Sequence, residues 1–248
     1  MALISPLKSL RLGKPHNLFA LALLAILVTG CTALKQCAYE GFSRDEWQQP
    51  DKVIQSLRIQ PGSIIADLGS GSGYFTLRLA NAVGPTGKVY AVDVDSAINE
   101  VLKERAKRER ADIVVVVSAK PNDPQLPEPV DLIFTSNTYH HIDNRIAYFA
   151  NLIKHLRPSG RLAVIDYDRT AWLEGLWGHY TPREFIKREL EQAGYELQND
   201  FDFLQRQSFL VFAPKSDQGN KVAGSRTVKA LIPRFMQGSN EAAPDNLR

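Results

Sequence analysis

An acid, three closely spaced glycines and a helix entry follow one another in Ile64-Ile-Ala-Asp67-Leu-Gly69-Ser70-Gly71-Ser-Gly73-Tyr74. Glycine lets a backbone turn tightly and approach a ligand with no Cβ in the way, and the amides at a helix start favour a negative group. The spacing sorts cofactor classes. A dinucleotide fingerprint, Gly-x-Gly-x-x-Gly, needs glycine where this chain has Tyr74. The pattern present is Gly-x-Gly-x-Gly, with Asp67 two residues ahead of it. A carboxylate aimed at such a turn is unwelcome beside a pyrophosphate and suits a cationic, aminoacyl-bearing ligand. Asp93 ends the next apolar run and is placed to accept hydrogen bonds from ribose hydroxyls, while Asp95 reads as a cap or a solvent-facing acid.

A second cluster, Ser136-Asn137-Thr138-Tyr139-His140-His141-Ile142-Asp143, follows a later apolar run. In open α/β sheets ligands sit beyond the carboxyl ends of the strands, so Asn137 to His141 are expected beside the reacting groups. His140 and His141, with Tyr139 between them and the strand, are candidates to take a proton from an acceptor hydroxyl or amine. Asp166-Tyr167-Asp168 is a candidate lining for an acceptor pocket, and His179-Tyr180 reads as loop. His140, His141 and Asp143 have metal-ligand chemistry, but no further cluster completes a site and no metal is expected.

The elements that must position these groups alternate. Asp51 to Leu57 reads as a helix, Ser63 to Asp67 as a strand, Tyr74 to Val83 as a helix ended by Gly84-Pro85, and Lys88 to Asp93 as a strand. Ala97 to Arg110 is an amphipathic helix whose charges form a solvated face. Ile113 to Val117, a β-branched run, reads as a strand buried on both faces. Val130 to Thr135 and Arg161 to Asp166 are further strands, separated by a helix from an Asp143 cap to Leu156 that Pro158-Ser-Gly160 terminates. Thr181-Pro182-Arg-Glu184 has the form of a capping box with proline at the first helical position, predicting a helix over 182–193. Phe201 to Leu204 and Ser208 to Phe212 read as a hairpin. Strand and helix in alternation predict an α/β fold with a mostly parallel sheet.

The ends differ from this domain. Lys8, Arg11 and Lys14 precede an apolar run from Leu18 to Val28, only ~16 Å long as a helix and too short to span a bilayer. A basic start followed by a short apolar run is the secretory signal pattern, and Val28-Thr-Gly-Cys31 resembles the lipobox of bacterial lipoproteins. That resemblance implies cleavage before Cys31 and acylation of its thiol, an anchor of two or three chains. Thr32, rather than Asp, after the cysteine favours the outer membrane over the inner. Residues 1–30 are thus read as a signal peptide, 31–49, rich in aromatics with Tyr39, Phe42 and Trp47, as a tether that becomes a segment packed against the domain, 50–214 as the domain, and 215–248 as a weakly ordered tail. Cys37 reads as an incidental thiol. The net charge of +3 lies entirely in residues 1–30, leaving 27 basic and 27 acidic side chains beyond them. That balance gives no basic surface for nucleic acid.

Asp67-Leu-Gly-Ser-Gly-Ser-Gly73, Val89-Tyr-Ala-Val-Asp93, Asp131-Leu-Ile-Phe and Leu156-Arg-Pro-Ser-Gly160 together resemble the ordered motifs of class I S-adenosylmethionine-dependent methyltransferases, over roughly residues 50–213. The resemblance implies a Rossmann-like seven-stranded, mostly parallel sheet with an antiparallel last strand and helices on both faces. It also implies S-adenosylmethionine as cofactor. Asp67, Gly69, Ser70, Gly71, Gly73 and Tyr74 would hold its methionyl part, Asp93 its ribose, and Asn137 would lie near the sulfonium. After the third strand many relatives carry Asp or Asn beside the adenine; this chain departs, with Ser118-Ala119-Lys120. The expected function is methyl transfer to a small molecule or side chain by an enzyme anchored in the cell envelope. The alternative is a non-catalytic envelope lipoprotein that binds a ligand on the same fold, because an exported enzyme lies apart from cofactor made in the cytoplasm.

Overall fold

The crossing point of the sheet lies where the glycine turn and the Asn137 turn meet. In the computed structural model, which describes residues 44–168 and 180–216, seven strands run in the order β3-β2-β1-β4-β5-β7-β6. These strands are β1 (Ile64–Leu68), β2 (Lys88–Asp93), β3 (Val114–Ser118), β4 (Val130–Ser136), β5 (Leu156–Tyr167), β6 (Tyr195–Phe201) and β7 (Gln207–Pro214). The first five are parallel, and β7 lies antiparallel between β5 and β6. The order reverses between β1 and β4, so the chain leaves these two neighbours in opposite directions and opens a crevice at their carboxyl ends.

Helices cover both faces, as the amphipathic patterns require. Among the described residues the α-helices are α1 (Arg44–Gln48), α2 (Pro50–Leu57), α3 (Thr76–Val83), α4 (Ser96–Arg108), α5 (Arg145–Leu152) and α6 (Arg183–Gln192). On one face Val53 and Leu57 of α2 and Leu79 and Val83 of α3 pack on Ile65, Phe134, Ile165 and Phe209. On the other, Phe149 and Leu152 of α5 and Ile186 and Leu190 of α6 pack on Ile133, Val164 and Leu210. Asp95 caps α4, its carboxylate accepting from the Ala97 and Ile98 amides at 2.9 and 3.4 Å. Pro50 opens α2, and Arg58, in the left-handed region at φ 49°, closes it.

The structure corrects several expectations. β3 is an edge strand, not one buried on both faces: among the described residues its outer side has no neighbour in the sheet, and Val115 is 41% exposed. The helix before β5 is not capped by Asp143. It begins after Asn144, which is left-handed at φ 47°, and ends at Leu152, with Tyr148 buried where Ile146 faces solvent. Pro158-Ser-Gly160 does not separate elements but forms an irregularity at the start of β5, between the pairings of Val130 and Leu132. Thr181 does not cap α6. Its amide is tied to the Tyr167 carbonyl at 3.0 Å and its side chain caps nothing, so tertiary contact overrides the local pattern. The hairpin begins six residues earlier than expected, because β6 is a mostly exposed edge strand whose polar sequence hides it. The signal segment, Cys31, Cys37, most of the tether, His179 and the tail from 217 lie outside the described residues.

Phe209 is fully buried on β7 against the rings of Phe201 and Phe203, with centroids 4.6 and 5.9 Å away. Phe209→Ala is expected to cost about 3–5 kcal/mol in urea unfolding, the range for a truncated core aromatic; a loss below about 1 kcal/mol would contradict this packing.

Candidate active site

The turn after β1 is built on the end of β2. The amides of Gly69 and Ser70 donate to the Val92 carbonyl at 2.8 and 3.2 Å, and that of Gly71 donates to Asp93 Oδ2 at 2.9 Å. Gly69, Gly71 and Gly73 all have positive φ, at 74°, 53° and 88°. A Cβ on Gly69 would lie 2.0 Å from Thr138 Oγ1, so a side chain there would collide with the turn after β4. Gly73 serves packing instead: a Cβ would meet Leu102 of α4 at 2.2 Å, and the residue does not line either cavity of the site.

Those two cavities, each of about 490 Å³, open at the carboxyl ends of the strands and share Gly69, Asn137, Thr138 and His141. The first is lined by Asp67, Ser70, Gly71, Tyr74 and His140, together with Arg44, Trp47 and Tyr167. The second is lined by Asp93 and Asp95, by Val92, Val94 and Ala119, and by Ile142 and Tyr148. The predicted cofactor residues other than Gly73 therefore line one or both of these adjoining cavities, Asp67 the first and Asp93 the second. Asn137, left-handed at φ 56°, stands at the junction and accepts a hydrogen bond from the Gln207 side-chain amide.

Asp67 is fully buried and accepts from Thr76 Oγ1 at 2.6 Å. Burial pushes its carboxyl up to about 7, because the charged form loses water; the Thr76 hydroxyl opposes the shift, and Asp93 nearby adds to it. Burial likewise pulls the Arg44 guanidinium below its ordinary value.

His140 and Asp166 form a buried pair, Nδ1 to Oδ1 at 2.7 Å. An ionised Asp166 places the imidazole proton on Nδ1 and makes Nε2 the acceptor nitrogen, the arrangement a general base needs. Tyr139 is corrected: it is fully buried in the core, stacked on Phe149 and donating to Glu189 Oε2 at 2.8 Å, so its hydroxyl lies away from both cavities.

Reading the residues alone missed Arg44, Trp47 and the partnership of Asp166 with His140. Trp47 stacks on Tyr167, centroids 5.9 Å apart, and the excess of aromatics in the tether was its only sequence signal. Nothing in local spacing marks Arg44.

S-adenosylmethionine fits these residues. The hydroxyls of Ser70 and Ser72, both in the turn lining the first cavity, are buried without hydrogen-bond partners among the described residues, and buried hydroxyls require partners. Asp67 in the first cavity and Asp93 in the second match the cationic and diol ends of that molecule.

Residues 66–162 match the family model described as a methyltransferase domain. The chain is similar to a ubiquinone/menaquinone biosynthesis C-methyltransferase of Shewanella pealeana, 28% identical over 47% of this chain and 47% of that one. It is also similar to phosphoethanolamine N-methyltransferase 1 of Triticum aestivum, 26% identical over 68% of this chain and 32% of that one. It thus spans half or less of the length of these curated relatives. Among solved structures, a SAM-dependent methyltransferase from Aquifex aeolicus superposes with a TM-score of 0.67 at 24% identity, covering 73% of this chain and 97% of that one.

Asp67→Asn retains an acceptor for Thr76 but cannot ionise. In the ligand-free protein the wild-type carboxyl titrates near 7, against about 4 unfolded, so its contribution to stability is full below about pH 4 and lost as pH rises through about 7. The variant is expected to melt above the wild type at pH 8, and the difference is expected to shrink toward pH 4. A wild type that gains stability from Asp67 as pH rises would overturn this electrostatic reading. Residues 66–162 are thus similar to a methyltransferase domain, and the chain has the fold of the SAM-dependent methyltransferase from Aquifex aeolicus.

Proposed function

We propose that this chain transfers the methyl group of S-adenosylmethionine to a small-molecule acceptor. The observation that carries the reading is the pair of adjoining cavities, with Asp67 in one and Asp93 in the other, that share Gly69, Asn137, Thr138 and His141. When bound, the cofactor supplies a methyl group on a sulfonium, a centre that already departs readily. What the protein adds is placement, which can contribute on the order of 7–11 kcal/mol to a barrier by orientation alone. Asp67, ionised, pairs with the amino group; Asp93 accepts from the ribose hydroxyls. Val92, Val94, Ala119 and Ile142 give the second cavity the apolar walls a purine needs. His140, with its tautomer set by Asp166, takes the acceptor's proton at Nε2, and His141 stands beside it with ring centroids 4.0 Å apart.

The acceptor is supported only as a class. The similar curated proteins are a C-methyltransferase of quinone biosynthesis and a phosphoethanolamine N-methyltransferase, and both names point to small molecules while differing in the atom methylated.

We further infer that the enzyme works from a lipid anchor at Cys31 in the bacterial envelope, at the outer membrane. The support is the order of basic start, apolar run and Val28-Thr-Gly-Cys31, with Thr32 following.

Calorimetric titration of the full chain with S-adenosylmethionine and S-adenosylhomocysteine is expected to show micromolar binding that Asp67→Ala and Asp93→Ala abolish. No heat and no thermal shift from a well-folded wild type would leave a binding lipoprotein on a methyltransferase fold. For the anchor, Cys31→Ser is expected to move the protein from the membrane to the soluble fraction of lysed cells; unchanged sedimentation with the membrane would overturn it.

A further inference from the structure

We infer that Arg58 and Arg161 form a binding site for an oxyanion of the phosphate class at the amino ends of the strands, across the sheet from the cofactor cavities. Two hollows open on that side, of about 350 and 430 Å³, and both arginines line each of them. Arg58 follows α2, and Arg161 lies in β5 where it pairs with Leu132 of β4. Ser63 and Ser159 are among the residues lining the first hollow, and Lys52 and Ser56, one turn apart on α2, line the second.

The charges there are unbalanced. Asp131 is the one acid among the residues lining either hollow, and it is already engaged. Arg157 donates to its two oxygens at 3.1 and 3.0 Å, and the Ile64 amide donates to Oδ2 at 2.8 Å. Among the described residues Lys52, Arg58 and Arg161 form no ion pair. Arg161 Nη2 donates to the Leu57 carbonyl at 2.7 Å, which fixes its guanidinium beside the residue that carries the second one. Burial, and after it the charge of Arg58, pull Arg161 below its ordinary value, so the two cations repel each other. An oxyanion between them removes that repulsion, and its several oxygens can accept from two guanidinium forks at once. Arg58 is left-handed at φ 49°, at a helix end where glycine is the ordinary choice. Its side chain forms no hydrogen bond among the described residues, so replacing it tests the ligand and not the architecture.

A soluble phosphate compound and the headgroup of an anionic lipid offer the same chemistry, and two arms of one experiment separate them. In titration of the full chain with inorganic phosphate at constant ionic strength, saturable binding at about millimolar affinity is expected. Arg58→Gln is expected to melt with the wild type and to bind about 10-fold or more weakly, the loss expected for a charge-assisted hydrogen bond. Arg58→Lys, which keeps the charge without the fork, is expected to retain part of the affinity. The second arm is flotation with vesicles of phosphatidylcholine, alone or with phosphatidylglycerol added; the apolar run from Leu18 to Val28 is common to both compositions. A preference for the phosphatidylglycerol vesicles that Arg58→Gln removes assigns the site to a lipid headgroup. No such preference, with phosphate still bound, assigns it to a soluble phosphate compound. A wild type that does not bind phosphate, or an Arg58→Gln variant that binds it as tightly as the wild type, overturns the inference.

Discussion

One carboxylate, Asp93, closes two turns at once. Its Oδ2 accepts the Gly71 amide in the loop after β1, and its Oδ1 accepts the Asp95 amide that leads into α4. Each is a hydrogen bond to a charged group, worth about 1.5–3 kcal/mol, and together they lock the glycine turn against the end of β2. Beside that tie, the Val92 carbonyl, the internal Gly73–Ser70 bond and Arg105, which donates to the Ser72 carbonyl at 3.2 Å, hold the positive-φ path from Gly69 to Gly73. The same acid that would bind ribose therefore also shapes the loop that would bind the methionyl end. The ligand channel is a by-product of how β1 and β2 are joined.

The channel divides because of the sheet's order. β1 and β4 are neighbours whose chains depart to opposite sides, so the turns at Gly69 and Asn137 face each other across the crevice. They approach closely at Gly69 and Thr138, and both residues line each of the two cavities. One side is formed around the ends of β2 and β3, inside the matched methyltransferase domain. The other takes its walls from α1 and from the end of β5, through Arg44, Trp47 and Tyr167, with Asp166 behind His140. These come from outside the matched domain, which begins at 66 and ends at 162. The first cavity therefore joins residues inside the matched segment, such as Asp67 and Gly71, to residues outside it, whereas all residues lining the second lie within the matched segment.

The central half was legible because each residue there obeys a local rule. An acid at a strand end, glycines at φ values other residues avoid, and a cap such as Asp95 all act within a few positions of themselves. The other half follows from register. His140 meets Asp166 only because β4 pairs with β5 so that Ser136 lies opposite Ile165, and no spacing in the chain reports that pairing. Tyr139 shows the converse error: adjacency to two histidines suggested chemistry, but the 3-10 turn there points it toward Glu189 and the core. β6 escaped notice because an edge strand with one buried end carries no apolar alternation, and Thr181 misled because its amide had a partner across the fold. The α/β architecture and the seven-stranded sheet survive these local errors, since strand identity and order depend on the buried strands at the centre.

The most direct test is a crystal structure of the full chain grown with S-adenosylhomocysteine. Ligand density is expected to run through both cavities, with the ribose hydroxyls on Asp93, the amino group on Asp67, the purine against Ile142 and the glycine turn unmoved. Density elsewhere on the chain, or a ligand in the channel with its ends reversed, would contradict the assignment of Asp67 and Asp93 to the two ends of the cofactor.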